Sequence, residues 1–170
     1  MGNKFVEQTQ IVSIIAPLDL DTDRTGDFVS MKNWGKAVLI FETGVGTATD
    51  DWNFTLRQAT VVAGTDAKDL DSIQEYWIKQ AATSLAATGT FTRTTQTADA
   101  LISGDATSAE EATLVIVEVN AEQLDVANGF DCISANVTLD ASAGAQLGYV
   151  VCILMDARYP QATTASAIVD

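Results

Sequence analysis

The stretch GDFVSMKNWGKAVLIFETGVG, residues 26–46, decides how the chain is read. It holds a short extended piece, Asp27–Met31, a Lys-Asn-Trp-Gly turn, and the apolar run Ala37–Phe41. A run of about five apolar residues between turn signals reads as a buried strand, because helices usually need about ten or more. Val38, Ile40 and Phe41 favour a pleated backbone, on which branched and aromatic side chains pack well. Asn33 and Gly35 flank Trp34 and tolerate the positive φ of a tight connection. The stretch predicts a hairpin whose second strand is central, with Trp34 folded back as a lid over one end of the core.

Downstream the pattern stays strand-like. Residues 53–62 set Phe54, Leu56 and Gln58 on one face against Thr55, Arg57 and Ala59, as in a half-buried antiparallel strand. A turn follows at Gly64. Residues 66–89 carry two signals. Leu70, Ile73, Trp77 and Ala81 fall at helical spacing, with Ser72 and Glu75 as a capping box and Gly89 as a stop. Tyr76, Trp77 and Ile78 form a strand-like cluster. We read a helical turn over 66–71 and a strand over 74–79. Thr-rich residues 90–97 predict an exposed strand, and 98–111 a loop with one turn of helix. ATLVIVEVN, 112–120, alternates Leu114, Ile116 and Glu118 with Val115, Val117 and Val119, and Glu118 sets that end at a rim. A turn at Asn128 and Gly129 precedes two long strands, 130–139 and 147–156. A flexible six-residue link makes them most simply an antiparallel pair. About eight strands and no internal repeat predict a single-domain, all-β antiparallel sandwich or barrel.

The sandwich is expected over residues 18–160. Residues 1–17 carry Phe5, Val6, Ile11, Val12, Ile14 and Ile15 and end at Pro17, which restrains Ala16 to an extended conformation. They read either as an edge strand of this domain or as an extended N-terminal arm lying on a neighbouring subunit. Phe5, Val6, Ile11 and Ile14 are the candidate interface residues. The small, polar tail, 161–170, is expected to be loosely ordered.

Composition narrows the chemistry. At 170 residues and 47% apolar content the chain can bury one sizeable core. A net charge of −14, scattered along the sequence, repels phosphates and anionic lipid, so neither nucleic acid nor membrane is an expected partner. Neither an apolar run of about 18 residues nor a signal peptide is read, which predicts assembly in a cytoplasm. Cys132 and Cys152 read as two buried thiols or as a cross-strand disulfide. Without histidine there is no imidazole base for a Ser-His-Asp arrangement, and two cysteines are too few for zinc. Asp19, Asp21 and Asp23 have calcium-loop spacing, yet Arg24 stands where glycine belongs and Ser30 where glutamate belongs. The loop after Gly44 lacks the Gly-Lys-Ser/Thr of a phosphate cradle. No catalytic residue, cofactor or metal ligand is assigned, and the chain is read as a non-enzyme.

Residues 26–44, with QATVVAGTDAKDL (58–70), EQLDVANGFDCISANVTL (122–139) and LMDARYP (154–160), resemble a family of tailed-bacteriophage virion proteins. These are head decoration, or cement, and minor virion structural proteins. The resemblance spans about two-thirds of the chain. It implies a jelly-roll-like sandwich, a capsid-surface location in the virion, the major capsid protein as partner and a homotrimer. It also favours a short strand near residue 76. Two other functions stay open: a neck or tail component, and a carbohydrate-binding module using Trp34, Trp52, Tyr76, Trp77 and Tyr159 as stacking platforms.

Overall fold

The computed structural model describes residues 4–47, 51–82, 90–104, 111–139 and 145–158. A four-residue helix, α1 (Phe5–Gln8), leads into β1 (Gln10–Asp19), β2 (Arg24–Thr25), β3 (Val29–Ser30) and β4 (Trp34–Thr43). Then come β5 (Trp52–Ala59), β6 (Lys68–Asp69), β7 (Ile73–Ala82), β8 (Thr92–Asp99) and β9 (Leu101–Ser103). The last three are β10 (Ala112–Asn120), β11 (Cys132–Leu139) and β12 (Leu147–Ala157).

Two sheets face each other. The front sheet has the order β1-β12-β4-β10-β7-β8. The back sheet has the order β2-β11-β5-β6, with β3 also on β11 and β9 also on β5. Every pairing among the described residues is antiparallel. With β2 and β3 taken as one strand and β6–β8 as an insertion, the eight principal strands run 1-8-3-6 in front and 2-7-4-5 behind. That order is the double Greek key of a jelly roll. The expected all-β, jelly-roll-like sandwich is the fold.

Several local expectations need correction. The stretch 26–46 is not a hairpin: β3 pairs with β11 behind, while β4 pairs with β12 and β10 in front. The turn between them carries the chain from one sheet to the other. β4 is nevertheless central, and Trp34 is buried at its first position. Strands β11 and β12 likewise lie in different sheets. Residues 66–71 hold β6 instead of a helical turn, because Asp66 takes φ 54° and Leu70 N donates to Leu56 O at 3.0 Å. Residues 98–103 end β8 and form β9 instead of the expected loop, and residues 105–110 lie outside the described residues. The strand over 74–79 is present and longer, while the stop at Gly89 lies outside the described residues. Pro17 does not end the first strand. It sits within β1, an edge strand among the described residues, in the irregular stretch between Ile15 and Leu18 where proline is tolerated. β1 therefore crosses the expected arm boundary at residue 17. The tail 161–170 lies outside the described residues.

Between the sheets, Leu39 and Phe41 of β4 meet Trp52, Phe54 and Leu56 of β5 in one core with Val115, Val117, Val137 and Val150. Cys132 and Cys152 lie on different sheets and neither forms a disulfide. Burial pushes the Cys152 thiol up to about 12.

Candidate interaction face

A sandwich strand normally alternates apolar-in and polar-out. The back sheet obeys this. Outside its inward Phe54, Leu56, Ala135 and Val137, it presents Asn53, Thr55 and Arg57 of β5 beside Thr138 and Asn136 of β11, while Ser134 on the same side is buried against Gly26. Ser103 Oγ donates to Asn53 Oδ1 at 2.7 Å, and Arg57 Nη1 lies 2.9 Å from Asp69 Oδ1.

The front sheet breaks the rule. Its inward positions are Leu39 and Phe41 on β4, Val115 and Val117 on β10, and Val150 and Cys152 on β12. The outward positions in between are also apolar. One row crosses all six strands as Ser13, Val151, Ile40, Ile116, Trp77 and Arg93. The adjacent row is Ile11, Ile153, Val38 and Glu118, and on the other side run Tyr149, Glu42, Leu114 and Lys79. Four central strands thus show water a patch of Val, Ile, Leu and Trp, with Trp77 41% exposed, and Ile11 of the edge strand β1 extends it at 53%. Monomeric soluble proteins seldom expose contiguous apolar surface of this kind.

Polar groups border the patch. Lys36 Nζ donates to Glu118 Oε2 at 2.9 Å, and that hydrogen bond raises the lysine above its ordinary value. Tyr149 Oη donates to Glu42, which pushes the phenol up to about 12. Arg93 Nε donates to Glu75 Oε2 at 3.0 Å. Lys36, Lys79 and Arg93 stand against Glu42, Glu75 and Glu118, three charges of each sign, on a chain whose net charge is −14. An apolar centre with a balanced polar border is the anatomy of a protein–protein interface.

The residues singled out from sequence fall in three places. Ile11 joins the outer rows of the front sheet. Phe5 and Val6 are exposed on α1, next to the end of β1. Ile14 is 3% exposed within the core and leaves the candidate set, because it shares the inward parity of Val12 and lies opposite to Ile11 and Ser13 on β1. Of the aromatics considered for sugar stacking, Trp34 and Trp52 are buried and Trp77 is exposed. Tyr76 is half-buried against the core, and Tyr159 lies outside the described residues.

Sequence reasoning took Ile40, Ile116 and Val151 for core or passed over them. A signal was present: AVLIF, TLVIV and YVVCIL are apolar at both parities. Strands covered on one face alternate, and strands covered on both faces do not.

Elsewhere, a pocket of about 170 Å³ lies beside Met31, Leu124, Phe130, Lys32, Asp131 and Arg158. Lys32 Nζ lies 3.8 Å from Asp131 Oδ2, so these charges face each other. In the Asp19 loop, Arg24 Nη2 donates to Asp19 O at 2.6 Å and to Asp21 Oδ1 at 2.5 Å, putting a guanidinium where a calcium loop would hold its ion.

In class, the chain is a jelly-roll sandwich with one polar and one apolar outer face. No protein-family model matches it, and no curated protein matches it either. Among solved structures it is similar to the SPBc2 prophage-derived protein YomS, with 8% identity and a TM-score of 0.39 over 91% of this chain and 100% of that one. It is also similar to a chain of Triatoma virus, with 8% identity and a TM-score of 0.32 over 100% of this chain and 73% of that one. Both likenesses are weak and extend to general shape.

Proposed function

We infer that the chain is a virion structural protein, a decoration subunit that docks on a phage head and stabilises it by protein–protein contacts. The apolar outer face of the front sheet carries this reading. Six strands spaced about 4.8 Å apart and a strand length near 25 Å give a face of roughly 600 Å², close to one partner's share of a stable interface. The resemblance of residues 26–44, 58–70, 122–139 and 154–160 to phage decoration proteins supplies the partner, the major capsid protein. Repetition over a shell multiplies such contacts. The working surface is a packed face, with no cofactor and no catalytic residue assigned.

The test counts copies of the chain per purified particle by quantitative mass spectrometry, for wild type and for Ile40→Glu. Wild type in proportion to the shell protein, and a variant that melts normally but is lost from heads, would support the reading. A few copies per particle would make it a neck or tail component, and absence from particles would refute a virion role.

A further inference from the structure

Two apolar features lie outside the front face, both at one end of the sandwich. Gln10, the first residue of β1, stands opposite Leu154 of β12, and Ala157 of β12 stands opposite Trp34. α1 therefore sits near the end where β12 finishes. Arg158, the next residue, lines the pocket of about 170 Å³.

α1 buries none of its residues, and Phe5 and Val6 are 54% and 66% exposed. A four-residue helix has no stability of its own in water. This one is tied at both ends. The Lys4 N–H donates to Glu7 Oε2 at 3.0 Å, and the hydroxyl of buried Thr9 donates to Phe5 O at 2.9 Å. Phe5 is thus an apolar knob on an ordered turn, and part of the entropy cost of a contact is already met.

The pocket fits that knob in size and in charge. Leu124 and Phe130 form its apolar wall, and Val126 stands on its rim at 58% exposure. An apolar cavity of about 150 Å³ admits a benzene molecule, so this one has room for a phenyl ring. Asp131 faces Lys32 at 3.8 Å, whereas Arg158 has no ion pair among the described residues. Phe5-Val6-Glu7 offers a ring, a second apolar side chain and a carboxylate whose Oε1 is left over by the Lys4 N–H. Copies of a chain with net charge −14 repel each other, and here a carboxylate would meet the cation that its own chain leaves unpaired.

We propose that Phe5 of one copy seats in this pocket of a second copy, with Val6 covering the rim and Glu7 beside Arg158. Knob and pocket are on every copy, so each subunit gives one contact and receives one. The buried aromatic is the anchor, and the ion pair sets its orientation. The contact does not rest on the virion reading. It is a few side chains wide, so free copies associate weakly and cross-linking reads it better than mass does.

The test uses two full-length proteins, Lys4→Cys and Val126→Cys, mixed in equal amounts and treated with a short bismaleimide. Cys132 and Cys152 are buried and stay unlabelled. The expected product joins one chain of each kind, which only a contact between copies can give. It should form about tenfold faster than the product of Lys4→Cys with Val45→Cys, whose exposed side chain follows the far end of β4. Adding Phe5→Asp to the first protein, or Arg158→Glu to the second, should bring the rate down towards that control. Neither should move the melting temperature, because Phe5 is exposed on a helix that buries nothing and Arg158 has no ion pair to lose among the described residues. Linking no faster than the control, or a rate indifferent to either substitution, would overturn the contact.

Discussion

Phe41 of the front sheet meets Trp52 of the back sheet edge to face, with ring centroids 5.1 Å apart and planes at 75°. Phe54 stacks on the same ring at 5.0 Å and 12°, so one side chain of β4 joins two of β5 across the sandwich. Phe41→Ala is expected to cost about 3–5 kcal/mol, the lost transfer energy plus the cavity left between the sheets. Equilibrium urea unfolding measures it, and a loss below about 1 kcal/mol would show that the sheets are held elsewhere.

Gly26 is where the chain passes closest to β11. Its N–H donates to Ala135 O at 3.0 Å, and Ser134 Oγ donates to Gly26 O at 2.8 Å. A Cβ there would stand 2.5 Å from Ala135 O. Gly26→Ala is therefore expected to destabilise by about 1–3 kcal/mol through forced backbone movement. Gly44→Ala, whose Cβ would meet nothing nearer than Leu147 O at 3.6 Å, is the control and should shift the thermal midpoint far less.

Of three tryptophans, Trp34 and Trp52 are buried and Trp77 is 41% exposed on the apolar outer face. Acrylamide should quench only part of the emission of the isolated chain, and Trp77→Phe should abolish that part. On heads, the quenchable fraction should fall. Unchanged quenching on bound particles would mean that the front face is not the docked one.

Asp125 accepts from Lys68 Nζ at 2.5 Å and from Asn128 Nδ2 at 2.8 Å, and these hydrogen bonds hold its carboxyl below the ordinary 3.8. A carboxyl with a lower value folded than unfolded stabilises fully above the unfolded value. That contribution disappears as pH falls through the folded one. The melting temperature should accordingly drop more steeply below about pH 4 in wild type than in Asp125→Asn. Parallel acid limbs for the two proteins would contradict the assignment.

Strands were legible in the sequence, and their partners were not. The apolar run of β4, the alternation of β5 and the valines of β10 are local patterns that survive any topology. Two neighbouring strands look like a hairpin whether they pair or part, and both β3/β4 and β11/β12 part. Their partners lie far along the chain, as Ile40 opposite Val151 shows, and no window of sequence contains both. The interaction face was hidden for a related reason. Outward Ile116 and inward Val117 differ only in parity, and parity tells which face is apolar only when the other face is polar. Ile11 was singled out only as one of the apolar residues of the N-terminal segment that runs to Pro17.

β12 lies between β1 and β4, although it is the last strand among the described residues. On the ribosome, β1 therefore emerges without this neighbour and waits while roughly 130 further residues are made. At about 5–20 residues per second this takes on the order of ten seconds. Until then Ile14, Ile15, Leu39 and Phe41 face the crowded interior of a cell without the strand that joins them. Nascent chains stalled before residue 147 should be captured by holdase chaperones, and chains stalled far enough beyond 157 for β12 to leave the exit tunnel should escape them.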